Sequence, residues 1–223
     1  MIVVIQCAAR KRDDAGHLRR RDGTPVLFVA NSDRAPPKTG YVYARPDDIA
    51  DDGKSWRDIL LGYNQQPGDN PLGLLPAFEL YGNDVYRRLA ERVGVENLFI
   101  LSAGWGLINA IFLAPCYDIT FSALAEPYKR RRKTDPYRDL RMVPEDTDEP
   151  IVFFGGKDYL PLFCELTDGV RSQRTVFFNS ATVPQIPGVS VVRFPTTTRT
   201  NWHYECVNAF LRGEIASELS RGC

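Results

Sequence analysis

The sequence predicts an α/β fold, a three-layer sandwich around a largely parallel central sheet, and three observations carry that reading. Short, wholly apolar runs recur at residues 2–5, 98–101 and 151–154, without the alternation of a half-exposed strand. That is the pattern of strands covered on both faces. Segments of helical pattern lie between them, and strands alternating with helices imply parallel pairing through crossovers. The expected carboxyl ends of the strands fall at residues 7–11, at Asn31, and at residues 102–106, 155–157 and 195–198, which are polar or glycine-bearing. Open α/β sheets bind ligands outside such ends.

Taken in order, residues 1–7 read as the first buried strand, opening into the charged stretch from Ala8 to Asp14. Residues 25–30 read as a second apolar strand, and residues 31–52, with Pro36, Pro37, Gly40 and Pro46, as loop. Residues 56–61 suit one or two helical turns. Residues 62–76 are rich in Asn, Gln, Gly and Pro and form a long connection, either an exposed insertion or a functional loop that widens or lids a pocket. Gly82-Asn83-Asp84 is a helix start with Asn83 or Asp84 as N-cap. Val85, Leu89, Arg92 and Val93 then share a face, and Gly94 is a stop. The strand at 98–101 breaks at Ser102-Ala103-Gly104 and runs through Trp105-Gly106-Leu107 to Pro115-Cys116-Tyr117-Asp118. Small residues followed by an aromatic and a Tyr-Asp pair suit a pocket at the sheet edge, or else a plain strand-to-helix turn. Residues 119–125 suit a short helix, and 127–150 a polar, charged insertion. The strand at 151–154 halts at Gly155-Gly156, and a helix at 157–166, strands at 175–179 and 189–194, and a helix at 200–219 complete the chain. No internal repeat interrupts this order, so one α/β domain is expected over residues 1–223.

Composition bounds the function. The chain has 223 residues, 43% of them hydrophobic, enough for a substantial core. The 28 basic and 28 acidic residues cancel, so global charge does not advertise nucleic acid, though it hides local clusters. The five cysteines, Cys7, Cys116, Cys164, Cys206 and Cys223, are scattered and form no C-x-x-C pair, which argues against zinc and against a disulfide framework. A reducing cytoplasm is the expected location. No apolar run reaches membrane-spanning length and no secretory leader is apparent. No heptad or pairing edge sets an oligomeric state.

Five short motifs occur in order: Cys7-x3-Lys11, Pro76-Ala77-x-Glu79-Leu80-Tyr81, Leu101-Ser102-Ala103-x-x-Gly106-Leu107, Pro115-Cys116-Tyr117-Asp118 and Gly155-Gly156-x-x-Tyr159. Each is weak alone and the ordered set is more specific. Together they resemble the small bacterial and phage proteins of unknown function that share a C-x3-K start, an L-S-A-x-x-G-L core and a P-Y-D tail. The likeness covers roughly residues 1–166; Cys116 inside the tail motif and the insertion between Asp118 and Ile151 depart from it. That group is similar to the peroxide-stress protein YaaA, a DNA-binding protein, and to the uracil-DNA-glycosylase-like domain of archaeosine transglycosylases. The resemblance implies a uracil-DNA-glycosylase-like sandwich with DNA as partner. By analogy it implies a phage-defence DNA glycosylase that removes glucosylated hydroxymethylcytosine. A non-enzymatic DNA-binding stress protein and an N-glycosidase of free nucleosides or nucleotides stay open beside it.

Excising a base breaks an N-glycosidic bond, leaving oxocarbenium character on the sugar and negative charge on the base. It requires an aromatic wall, polar groups that read the base, a group that holds water, and cations for phosphates. It requires neither metal nor redox cofactor, and none is expected. Asp118 is the first candidate carboxylate, unless it caps the helix expected after it; Glu79 is the second, unless it is an ordinary surface residue. Trp105, Tyr117 and Tyr81 are candidates for the wall against plain core packing, with Gly104 and Gly106 expected to leave one face of the Trp105 ring open. Ser102 is a base-binding candidate, and with Gly156 it offers backbone N–H groups to a phosphate beside Arg10, Lys11 and Lys157. Gly155-Gly156-Lys157 lacks Walker A spacing, which disfavours a nucleoside triphosphatase. By analogy with uracil-DNA-glycosylase-like enzymes, His203 stabilises the leaving base, with Asn201 nearby; alternatively Asn201 caps the last helix and His203 lies in its first turn. Lys129, Arg130, Arg131, Arg132 and Lys133, with Arg138 and Arg141, form a basic patch suited to a DNA backbone, or else a solvated loop. Arg19-Arg20-Arg21 is a weaker second run.

Overall fold

The computed structural model describes residues 1–37 and 40–215. Along the chain run β1 (Ile2–Gln6), β2 (Val26–Val29), β3 (Val42–Ala44), α1 (Trp56–Gln65), β4 (Leu75–Pro76), α2 (Val85–Val93), β5 (Leu98–Ser102) and β6 (Gly106–Asn109). Then follow β7 (Leu113–Ala114), β8 (Tyr117–Asp118), β9 (Leu140–Arg141), β10 (Ile151–Phe154), α3 (Leu160–Leu166), β11 (Arg174–Phe178), β12 (Val189–Arg193) and α4 (Trp202–Leu211).

The three apolar runs lie side by side at the centre of a seven-stranded sheet ordered β12-β11-β10-β1-β5-β6-β9. All residues of β5 and β10 are buried, which is why neither alternates in sequence. The strands β12, β11, β10, β1 and β5 pair in parallel, and β6 returns antiparallel from β5. From β1 the chain goes to β5 on one side, then crosses to β10 on the other and continues outward to β11 and β12. β1 and β10 are therefore neighbours whose onward connections leave in opposite directions, the condition that opens a crevice at the carboxyl ends of a sheet.

Helices cover both faces. Phe153 and Phe154 are consecutive on β10 and point to opposite sides. Phe153 stacks on Phe163 of α3 at 4.6 Å, and Phe154 packs against Phe210 of α4 at 5.4 Å. α2 packs beside α4 and on β5. This arrangement is a mostly parallel α/β sheet compatible with a three-layer sandwich. Two smaller sheets, β3-β2-β8 and β4-β7, lie outside it, and Phe28 of β2 meets Trp105 edge-on at 5.0 Å. One cluster of buried apolar side chains runs from β1 to α4. Among the described residues no helix is long and apolar enough to cross a membrane.

Local chemistry sets the helix ends. The Ser55 hydroxyl accepts from the Asp58 N–H at the start of α1. Asn83 Oδ1 accepts from Val85 N before α2, and Gly94 ends that helix at φ 83°. The buried stripe of α2 is Val85, Tyr86, Leu89 and Ala90, whereas Arg92 is exposed. Several expectations are corrected. Residues 31–52 contain β3, and α1 extends to Gln65. Residues 119–125 are not a helix: the Thr120 backbone is tied to the 129–131 segment, through Thr120 N to Lys129 O and Arg131 N to Thr120 O, each at 2.9 Å. The 127–150 insertion is integrated, supplying β9 to the main sheet. The 62–76 loop is held against Gly16, whose N–H donates to Gly73 O at 2.9 Å. The last helix ends at Leu211, and residues 216–219 of its expected span, like Cys223, lie outside the described residues. Cys7 and Cys164 are free thiols.

Gly106 is a position that glycine alone fits. Its φ is +90°, and an added Cβ would lie 2.5 Å from Leu140 N and 2.6 Å from Leu140 O, because β9 pairs directly against it. Gly106→Ala is expected to cost roughly 2 kcal/mol or more, read as a lowered urea midpoint. An unchanged midpoint would mean that β9 yields without penalty.

Candidate functional site

The crevice between β1 and β10 is a cleft of about 900 Å³. Gln6 and Cys7 from β1 and the Gly155-Gly156 turn from β10 form its base. The side chain of Gln6 ties the two strand ends together, accepting from Gly156 N at 2.6 Å. Around the cleft stand three cations, Arg10, Lys157 and Arg199, and three amides, Asn83, Asn179 and Asn201. Asp158 is the one carboxylate among its described lining residues, and Tyr204 is a half-buried aromatic wall. His203 lines the same cleft in the first turn of α4. Asn201, just before that helix, has φ 58° and its side chain makes no cap hydrogen bond, so its amide is not spent on α4.

His203 is 2% exposed, and its Nε2 is buried without a hydrogen-bond partner among the described residues. Burial pushes its pKa down to about 4, so the imidazole is neutral at physiological pH. This couples stability to pH with a defined sign. As pH falls, the unfolded chain takes up the proton first, near the ordinary value of 6.5. The contribution is therefore fully present above about pH 6.5 and is lost progressively toward pH 4, up to about 3 kcal/mol. His203→Asn is expected to flatten this part of a urea-midpoint profile; an identical profile in the variant would remove His203 as its source.

Beneath the cleft the five sequence motifs converge on one buried polar cluster. Cys7 Sγ lies 3.3 Å from the Tyr159 hydroxyl. Ser102 Oγ donates to the Tyr117 hydroxyl at 2.8 Å, which in turn lies 2.9 Å from the Tyr81 hydroxyl. Lys11 Nζ sits 3.8 Å over the Tyr117 ring and donates to Ala9 O at 3.2 Å. Tyr86 donates to Gln6 O at 2.8 Å and lies 3.3 Å from the hydroxyl of Tyr204. Burial raises the pKa of Tyr81, Tyr117 and Tyr159 well above the ordinary value, so these phenols stay protonated. Burial also lowers the Lys11 amine, against the pull of nearby Cys7 and Asp118.

The expected site residues divide accordingly. Arg10, Lys157, Asn201 and His203 stand at the cleft, and Gly156 lines it too, but its N–H is taken by Gln6 and is not open to a phosphate. Tyr81, Tyr117 and Ser102 are buried in the cluster below and do not line the cleft. Lys11, 7% exposed, is held in the same cluster. The Trp105 ring is fully buried against Phe28, Tyr117 and the Arg57 guanidinium, contrary to the open face expected of it.

The turn around Trp105 has no backbone group to spare. Ala103 N donates to Cys7 Sγ, and Gly104 N and Trp105 N donate to Ser102 Oγ. Arg131 takes Ala103 O, Arg57 takes Gly104 O and Trp105 O, and Leu140 N also donates to Trp105 O. Every N–H and C=O from Ala103 to Trp105 is satisfied internally, which is how a turn survives burial. Residues 102–106 are thus the tip of the β5–β6 hairpin rather than a pocket.

Asp118 pairs with Lys129 at 2.9 Å and does not line the cleft; half-buried Glu79 does not line it either. The basic run does not form one patch. Lys129 is held by Asp118 and Glu126, an environment that raises its pKa, and Arg131 is buried on Asp139. Arg138 pairs with Asp47 and Asp58, while Lys133 is exposed. Arg130 and Arg132 face a separate hollow. Asn31 belongs to that hollow too, and the 62–76 loop does not line the cleft. Residues not singled out from sequence include Asn179, Asp158 and Tyr204; Asn179 follows β11 directly, so the rule of carboxyl ends reaches it once that strand is placed.

No protein-family model, no curated protein and no solved structure matches this chain.

Proposed function

We propose that this protein is a uracil-DNA-glycosylase-like DNA N-glycosylase that excises a modified base and leaves an abasic site, in defence against phage whose DNA carries such bases. The observation that carries this reading is the set of side chains at the cleft between β1 and β10: three amides, a neutral buried imidazole, one carboxylate and three cations. Amides read the donor and acceptor edge of a base, and cations hold the flanking phosphates. A volume of about 900 Å³ is at the upper end of small-molecule pockets and suits a base enlarged by a sugar. When the C1′–N bond breaks, the electron pair leaves with the base. The neutral imidazole of His203 donates a hydrogen bond to that developing charge without first having to lose a proton. Asp158 takes the water-holding role considered for Asp118, because it lies at the cleft whereas Asp118 is neutralised by Lys129 outside it. Water then adds to C1′, losing a proton to Asp158, and the departed base anion takes up a proton, so the net reaction is hydrolysis.

The test is an abasic-site assay on duplexes carrying glucosylated hydroxymethylcytosine, hydroxymethylcytosine or cytosine, alongside the free nucleosides. Abasic sites on the glucosylated duplex alone are expected. Salt-sensitive binding without abasic sites on any duplex would replace catalysis by DNA binding. Cleavage of free nucleosides at an equal rate would make the polymer incidental.

A further inference from the structure

Thr120 lines the cleft, and its bridge partner Arg130 lines a second hollow of about 430 Å³. The hollow is faced by four guanidiniums, Arg34, Arg45, Arg130 and Arg132, and by the carboxylates of Asp33, Asp48 and Asp135. Arginines this close to carboxylates ordinarily pair with them. Here none of the four forms an ion pair among the described residues. Asp48 instead accepts from the backbone N–H of Arg45 at 2.7 Å, and Asp135 from the backbone N–H of Arg132 at 2.7 Å. Asp48 and Asp135 close turns, and the guanidiniums line the hollow. Among the described residues Arg130 donates to Ala123 O, at 3.2 Å, and Arg45 to Pro136 O, at 3.0 Å, with the Arg45 guanidinium 5.2 Å from the centre of the Tyr137 ring. Arg45 Nε is buried with no hydrogen-bond acceptor among the described residues, a costly condition.

We propose that this hollow is a phosphodiester site that grips the DNA backbone beside the nucleotide held in the cleft, a proposal that rests on the DNA reading of that cleft. Guanidiniums with open N–H forks bind phosphate oxygens in pairs. The three carboxylates temper the positive charge, which suits a singly charged diester better than a free, multiply charged phosphate. The three carboxylates do not make a metal site, since no group of three potential ligands is placed to hold a metal ion among the described residues. One strand spacing, about 5 Å, separates the backbones of Thr120 and Arg130, so cleft and hollow are adjacent stations for one nucleic-acid strand.

The test uses the full chain, a fluorescent duplex of unmodified DNA, and inorganic phosphate. Arg34 and Arg132 are exposed and their side chains make no hydrogen bond among the described residues, so Arg34→Ala/Arg132→Ala is expected to leave the fold intact. The slope of log affinity against log salt is expected to become shallower by about 2 in this double variant. The exposed pair Arg87→Ala/Arg171→Ala, away from the hollow, is expected to leave the slope within about half a unit of wild type. Equal changes in both pairs would reduce the effect to bulk charge and overturn the proposal. An unchanged slope, with Arg45 Nε resonances shifting on addition of inorganic phosphate, would overturn the backbone contact in favour of a free anion. A shallower slope in a protein that forms no abasic sites would sink the catalytic reading and leave the backbone grip standing.

Discussion

Replacing His203 with alanine is expected to slow base excision by roughly 10²–10³-fold while leaving DNA affinity within about twofold of wild type. The expectation follows from where the imidazole sits and from its charge. It lines the cleft, is 2% exposed, and has a pKa pushed down to about 4 by burial alone. A group that is neutral in both free and bound protein adds little to phosphate affinity. A hydrogen bond from it strengthens only as negative charge builds on the departing base, so its loss falls on the chemical step. His203→Gln, which restores a neutral donor, is expected to recover part of the rate; a purely structural role for His203 would give no such recovery. Single-turnover excision rates and equilibrium binding, measured on the same glucosylated duplex, separate the two effects. A variant that loses affinity and keeps its excision rate would assign His203 to binding.

The sheet was legible because its strands are simple. Residues 2–5, 98–101 and 151–154 are apolar at every position, and their burial on both faces follows from helices on both sides. The carboxyl-end rule singled out residues 7–11 and 155–157, of which 7–10 and 155–157 line the cleft, whereas residues 195–198 do not. The same rule misread residues 102–106, because what fills that turn comes from far along the chain. Arg57 and Arg131, 47 and 28 residues from the Gly104 and Ala103 carbonyls they bond, are held there by α1 and by the 127–150 insertion. Nothing local to Trp105 announces them. The basic run held more information than its net charge. In an extended segment residues i and i+2 share a side. Lys129 and Arg131 turn to acidic partners, Arg131 to buried Asp139, whereas Arg130 and Arg132 turn to the hollow.

Asp139→Ala is expected to lower the unfolding free energy by about 3–5 kcal/mol, the cost of stranding a buried charge. Arg131 and Asp139 have side chains only 6% and 5% exposed, and Arg131 Nη1 reaches both Asp139 Oδ1 and Ala103 O at 2.9 Å. The guanidinium lies 3.8 Å over the Tyr137 ring, and Arg131 as a whole is 7% exposed. Ala103 is at the hairpin tip and Asp139 adjoins β9, so the pair joins the insertion to the central sheet. Removing both charges together is different, because no ion is then left unpaired. Arg131→Met/Asp139→Leu is expected to cost less than Asp139→Ala alone, though the tip carbonyl loses a donor. By contrast Arg12→Ala, which breaks the exposed pair with Asp14, is expected to leave the urea midpoint unchanged within error. Urea unfolding of the three variants decides the matter. A loss below about 1 kcal/mol in Asp139→Ala would mean that water reaches Arg131 and that the insertion is fastened to the sheet elsewhere.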